Sequence, residues 1–460
     1  MTTLWFRSAL LDQGWTQNVR LHLDSGQIVR IDTDVDIAAE DSSHAIGIQG
    51  MPNVHSHAFQ RAMAGLAESS GAHADDFWTW REAMYRFLDT IGPDEMEAIA
   101  AFAFMEMLER GFTRVGEFHY VHHDTHGAPY VNRAELATRI AAASQEAGIA
   151  LTLLPVMYAH ANFGGATAAL GQRRFVNDSD GFAQIFAGCR SAVAALEDAV
   201  IGVAPHSLRA VTLDELEATI GLAPHGPIHI HAAEQLREVE ASIAWSGKRP
   251  VAWLLDNAPV DSRWCLIHAT HVDEAEVHRL AASGAVAGLC PVTEANLGDG
   301  VFPATHFLDV GGRFGVGSDS NVLIGVVDEL RALEYAQRLH SRSRNVLACS
   351  TQRSTGRRLY EAALTGGARA LGVERSCLSV GAPADIVSLD MNHPSLIERH
   401  EDAVLDSWIF ASHGNAIDCV WRRGRQVVSG GRHRDRERFV ARYRQAVAKV
   451  LAAPSPRTKL

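Results

Sequence analysis

From about residue 51 to residue 373 the sequence alternates short, apolar, β-rich runs with longer stretches rich in Ala, Leu, Glu and Arg. Eight of the short runs read as strands, at 46–54, 113–118, 150–157, 200–204, 227–230, 264–267, 285–289 and 313–317. A β-α unit repeated this many times fits an α/β fold of the (β/α)8 TIM-barrel type better than an open doubly wound sheet. No glycine-rich phosphate loop follows the first run, which argues further against a dinucleotide-binding sheet.

The two ends of the chain differ from this middle. Residues 2–9, 16–23 and 28–31 are strand-like, with Asp24-Ser25-Gly26 as a hairpin turn. Residues 385–389, 416–422 and 425–429 are strand-like too, with a turn at Arg423-Gly424. Both ends together therefore predict a small β-sandwich domain, formed by 1–50 and 374–460 around a barrel of 51–373. A last helix is expected over 435–451, with Asp435 at its N-terminal end and a Pro-containing tail beyond it.

Composition narrows the function classes. The net charge is −12 and no basic block runs along the chain, so nucleic acid is not an expected partner. The six cysteines are scattered without a C-x-x-C pair, as expected for reduced thiols in the cytoplasm. No basic-then-apolar leader opens the chain, and no apolar run approaches the ~18 residues that span a bilayer, so no membrane partner is expected. There are 23 histidines, whereas the only lysines are Lys248, Lys449 and Lys459.

In a barrel, chemistry gathers at the carboxyl ends of the strands. The first strand ends in Pro52-Asn53-Val54-His55-Ser56-His57, and alternate residues share a face, so His55 and His57 point into the mouth together. The fifth ends in His229-Ile230-His231-Ala232-Ala233-Glu234, the sixth in Ile267-His268, the eighth in Gly317-Ser318-Asp319. A solitary strand histidine is usually a hydrogen-bonded core residue. Several candidates at one end of separate strands instead predict a divalent metal, Zn²⁺ or else Fe, held by His55, His57, His231 and Asp319. His229 lies one layer deeper and reads as a satisfied core residue.

Glu234, three residues past His231, can reach a water in the mouth without ligating the metal, as a proton shuttle must. The competing use is a first-turn glutamate of the next helix. His268 is placed to hydrogen-bond the reacting oxygen, with His271 a lower-ranked rival beyond the strand end. His122-His123-Asp124-Thr125-His126 looks like a metal cluster but sits in a long loop, so it reads as mouth-shaping or solvated.

This ordered set resembles the amidohydrolase superfamily, across nearly the whole chain, with Pro383-Ala384-Asp385-Ile386-Val387 returning to the small sheet. Two-metal members of that superfamily carry a bridging Lys after strand four. Here that strand ends Ala204-Pro205-His206-Ser207-Leu208-Arg209, and no Lys precedes Lys248, so the resemblance implies a single metal ion. The His231/Glu234 pairing is similar to the branch that hydrolyses C=N bonds and releases ammonia. Within it, the formimidoylglutamate deiminases are resembled by His55-Ser56-His57-Ala58-Phe59-Gln60-Arg61, Phe77-Trp78-Thr79-Trp80-Arg81, Glu117-Phe118-His119-Tyr120 and Pro205-His206-Ser207-Leu208-Arg209.

That resemblance implies a pocket lined by Gln60, Arg81, Tyr120, His206 and Arg209, and catalysis by Glu234, His268 and Asp319. It implies a small dicarboxylate substrate and a homodimer. Arg81 and Arg209 suit the substrate's two carboxylates, since a guanidinium binds such groups bidentately. Trp78 and Trp80 either wall the pocket or pack their helix. The alternative is a deaminase of an aromatic base, such as guanine or a modified adenine, which would want an apolar, aromatic pocket with fewer arginines.

Overall fold

The computed structural model describes residues 2–69, 77–374 and 377–452, with only the backbone of Phe77; the Pro-containing tail lies outside the described residues. The chain opens with β1 (Thr2–Leu11), β2 (Gly14–Asp24), β3 (Gln27–Asp32) and β4 (Ser42–Gln49). The hairpin turn expected between β2 and β3 is present. Ser25 and Gly26 take φ values of 48° and 83°, the paired positive angles of a type I′ turn.

The run expected at 46–54 is two strands: β4 ends at Gln49 and β5 (Met51–Ser56) begins after Gly50. Gly50 is where the chain leaves the small sheet for the barrel. A Cβ there would come within 2.2 Å of the Thr113 side chain, so the crossing requires glycine. Then follow β6 (Phe112–His119), β7 (Ala150–Met157), β8 (Val200–Ile201), β9 (Ala204–Pro205), β10 (Ile228–Ala232), β11 (Trp264–His268), β12 (Val286–Leu289) and β13 (Arg313–Val316).

The fourth barrel strand is also broken. Only β8 and β9 remain of the expected 200–204 run, separated by Gly202, whose missing Cβ leaves room for the Pro227 carbonyl. Two parallel arcs result, β5-β6-β7 with β8 and β9, and β10-β11-β12-β13. Single parallel bridges join them, Val203 to Ile228 and Ser207 to His231 at one seam and Ser56 to Asp319 at the other. The ring is a (β/α)8 barrel, with helices such as Pro93–Glu109, Glu135–Ala147 and Thr355–Ala370 outside it. β5, β6 and β7 are buried at every position, as strands covered on both faces should be.

The chain closes with β14 (Ile386–Leu389), β15 (Ile417–Arg422), β16 (Arg425–Ser429) and β17 (Arg432–His433). Strands from both ends form one eight-stranded path, β17-β16-β15-β14-β4-β1-β2-β3. Alternation divides its residues between two cores. Leu4, Phe6, Leu21, Ile386, Cys419 and Trp421 pack among themselves, whereas Ile46, Ile48, Val387, Leu389 and Val420 join the main core of the barrel. The Arg423-Gly424 turn again has two positive φ values, 46° and 72°. The last helix runs Arg436–Ala452. An additional helix, Asp402–Ala411, packs on Thr355–Ala370. Among the described residues no helix is long and apolar enough to cross a membrane.

Candidate metal centre and active site

The carboxyl ends of β5, β10, β11 and β13 converge on one buried cluster. His55 Nε2 lies 3.2 Å from His57 Nε2 and 3.1 Å from His231 Nε2. Asp319 Oδ1 lies 3.4 Å from His55 Nε2 and 3.3 Å from His57 Nε2. The rings of His57 and His231 are held by their far sides: His57 Nδ1 donates to the Phe118 carbonyl at 3.0 Å, and His231 Nδ1 to the His206 carbonyl at 3.1 Å. With those protons committed, the Nε2 atoms of the neutral His57 and His231 rings present bare lone pairs, that of His231 toward His55 Nε2 and that of His57 toward both His55 Nε2 and Asp319 Oδ1. Burial pushes the pKa of His55, His57 and His231 down, which favours that neutral form. Converging lone pairs beside a carboxylate oxygen repel unless a cation lies among them. The donor set therefore fits a metal such as zinc, with second partners already fixing two of the ligands.

A polar seam sets this geometry. Asp319 N donates to the His55 carbonyl and His57 N to the Asp319 carbonyl, each at 2.9 Å, so β5 and the end of β13 position each other's ligands. Asn53 Nδ2 donates to Ser318 Oγ at 2.7 Å, Ser318 Oγ donates to Asn321 Oδ1 at 2.6 Å, and Asn321 Nδ2 reaches the His57 carbonyl at 3.1 Å. The backbone turns away from the strand ends through left-handed residues: Ala233 (φ 53°), His268 (67°), Asp319 (42°) and Asn321 (55°). Non-glycine residues hold that conformation only when their surroundings enforce it, and such strain concentrates at functional sites.

Beside the cluster, Glu234 Oε1 is 3.6 Å from His268 Nε2, and Asp319 Oδ2 is 3.8 Å from the same nitrogen. Burial raises the Glu234 pKa. Burial opposes charge on His268, but Glu234, Glu294 and Asp319 outweigh it and raise that pKa too. Glu294 Oε1 lies 3.3 Å from His268 Nδ1 and accepts from Cys290 N at 2.9 Å. Glu238 accepts from the backbone N–H groups of Ala233 and Glu234 at 3.2 and 3.1 Å, holding the turn that carries Glu234.

A cavity opens over this group. Its walls include His57, His231, Glu234, His268 and Asp319 together with Gln60, Arg81, Tyr120, His206 and Arg209. The structure thus brings every sequence-predicted site residue to one place, His55 lying buried beneath the floor. Gln60 Nε2 donates to the Tyr120 hydroxyl at 3.0 Å; Gln60 Oε1 and Arg81 Nε are buried with no hydrogen-bond partner among the described residues. Trp80 lines the cavity. The Trp78 ring carries three guanidinium groups, Arg81 at 4.4 Å, Arg237 at 4.7 Å and Arg209 at 5.6 Å.

The residues read as bland are so placed. His122 and His123 are buried struts, their Nε2 atoms donating to the Val156 and Val176 carbonyls at 2.9 and 3.0 Å, while His126 is exposed. His229 Nε2 donates to the Ala370 carbonyl below the cluster, and His271 Nε2 donates to the Asp299 carbonyl. Sequence reasoning missed Asn53, Ser318, Asn321, Glu238, Glu294 and Arg237. Glu294 follows the seventh strand, and applying the strand-end argument to Cys290-Pro291-Val292-Thr293-Glu294 would have flagged it.

Known proteins agree with this architecture. The amidohydrolase family model matches residues 48–427, and the model for the N-terminal domain of the formimidoylglutamate deiminase HutF matches residues 1–45. The chain belongs to the amidohydrolase family. Within that class, it is 50% identical over 454 residues to the formimidoylglutamate deiminase of Pseudomonas aeruginosa, covering 98% of this chain and 100% of that one. The crystal structure of an amidohydrolase from Brucella melitensis superimposes with a TM-score of 0.95 at 54% identity, over 98% of this chain and 100% of the other. An adenosine deaminase from Xanthomonas campestris with bound zinc shares the fold at a TM-score of 0.82 and 22% identity, over 98% of each chain.

Proposed function

We propose that this protein hydrolyses N-formimino-L-glutamate to N-formyl-L-glutamate and ammonia, with one Zn²⁺ held by His55, His57, His231 and Asp319. The observation that carries the reading is the pairing of two elements in one cavity: a three-histidine, one-aspartate cluster beside Glu234, and two arginines, Arg81 and Arg209, a short way along the wall. A divalent ion at the cluster supplies Lewis acidity and makes water nucleophilic near neutral pH. The 50% identical relative carries the same activity in its name, and the metal cluster suits hydrolysis of a C=N bond.

The side chains do the rest. Arg81 and Arg209 each take a carboxylate of the substrate, and Tyr120 and His206 shape the space between them. Gln60 Oε1, buried with no partner among the described residues, accepts from a substrate N–H. Water adds across the C=N bond, its oxygen to the formimino carbon. Glu234, with its pKa raised by burial, takes the water proton and delivers it to the terminal nitrogen. Asp319 accepts a hydrogen bond from the attacking water. His268 donates to the oxygen as the tetrahedral adduct forms. Glu234 then carries the hydroxyl proton of the adduct to the same nitrogen; the C–N bond to it breaks, ammonia leaves, and the carbonyl of the formyl group remains.

Ammonia release should be measured from N-formimino-L-glutamate, guanine, cytosine and formamide. Turnover confined to N-formimino-L-glutamate is the expected result. Faster release from guanine, or none from the dicarboxylate, would overturn the reading.

A further inference from the structure

We propose that Glu274, His278 and His306 form a second Zn²⁺ site, on the outer helical wall of the barrel and separate from its mouth. Glu274 and His278 stand four residues apart in the helix Glu274–Ser283, so their side chains lie on one face, a turn apart. His306 comes from the short helix Ala304–Asp309, which packs against that helix. One ligand atom from each residue lies within 4.8 Å of the other two. The two imidazole rings meet edge to face, at 5.1 Å and 81°, rather than stacked.

A second observation is independent of the grouping. His306 Nε2 is buried and has no hydrogen-bond partner among the described residues, and the adjacent Thr305 Oγ1 is in the same condition. A buried polar atom without a partner is destabilising, and most such atoms in native proteins are satisfied by something. Two imidazole nitrogens and a carboxylate oxygen are the donors that borderline ions accept, whereas Mg²⁺ and Ca²⁺ prefer all-oxygen shells. Glu274 and His278 are exposed, so an ion arrives from solvent and water completes its coordination.

Such an ion would not meet the substrate. It would tie the helix that follows β11 to the short helix that precedes β13, which pack against each other. Its role is a staple for the wall behind the strands that carry His268 and Asp319.

The test uses the full-length protein with its mouth site already loaded. Titration with Zn²⁺ against a chromophoric chelator should show a further equivalent of micromolar or tighter affinity, and this equivalent should raise the thermal midpoint. His278→Gln replaces an exposed side chain and should lose the further equivalent and its thermal increment. Its kcat, KM and metal-free circular dichroism should stay unchanged. Glu274→Gln should weaken the same equivalent by roughly tenfold or more. A wild-type protein that takes up no further equivalent, or a His278→Gln variant that keeps it, would overturn the proposal.

Discussion

The two ends of the barrel hold buried charge in opposite ways. At the amino-terminal end, where the small sheet docks, Arg114 and Arg422 meet Asp198 and Asp385. Arg114 donates to Asp198 at 3.0 Å, Arg422 donates to Asp198 at 3.1 Å, and Arg422 also pairs with Asp385. Positive and negative groups match in number, and the cluster spans β6, the segment before β8, β15 and the residue just before β14. At the mouth, groups of one kind are gathered rather than matched one to one. Three imidazoles face one another, three arginines surround Trp78, and Glu234, Glu294 and Asp319 ring His268. One end is electrostatically complete and joins two parts of the fold. The other gathers groups that the proposed reaction assigns to a metal ion and a substrate. This contrast is the physical form of the division in barrels between a stabilising bottom and a reactive top.

Four measurements can break or sharpen it. The largest effect should come from Glu234→Gln, which keeps the shape of the side chain and removes its proton affinity. We expect kcat to fall by about 10²–10⁴-fold with metal content unchanged, and near-normal turnover would take Glu234 out of the reaction. Next, Asp198→Asn tests the other end. Asp198 has φ 56°, which asparagine tolerates well, so the change isolates the charge. Two buried arginines would lose a partner, and denaturant unfolding should show a loss of about 3–5 kcal/mol, with kcat/KM of the folded enzyme intact. A drop in kcat/KM at unchanged stability would erase the division between the ends.

Arg209→Met should raise KM roughly 10–100-fold, since a charge-assisted contact to a carboxylate is removed. An unchanged kcat/KM would argue against a dicarboxylate clamp. The smallest effect is expected from Arg237→Gln. Arg237 is exposed at the rim, so it should contribute a few-fold to kcat/KM at low ionic strength and nothing at high salt. A salt-independent loss would place Arg237 in direct contact with substrate.

How far the site was legible varies with how local its cause is. His55 and His57 share a face because alternate strand residues must, and that requires no tertiary knowledge. Glu294 stands just past a strand end that the sequence marks, but its contact with His268, 26 residues back along the chain, comes only from the pairing of β11 with β12. Asn53, Ser318 and Asn321 were passed over for the same reason: their worth is in bonding across the seam between the first and last barrel strands, 265 residues apart for Asn53 and Ser318. The breaks at Gly50 and Gly202 were likewise invisible in the apolar pattern. Each follows from what a Cβ would strike, the Thr113 side chain in one case and the Pro227 carbonyl in the other.

By itself, then, the sequence determined the repeating β-α order, the two turns of the small sheet, and the residue types standing at each strand end. These depend on period, turn chemistry and short-range register, all properties of a few neighbouring residues. Only the tertiary structure decided which lone pairs oppose one another, which carboxylates surround His268, and where buried charge is matched or left waiting. Those are properties of distances between distant parts of the chain. Electrostatic energies vary with such distances and with burial, and neither exists until the ring has closed.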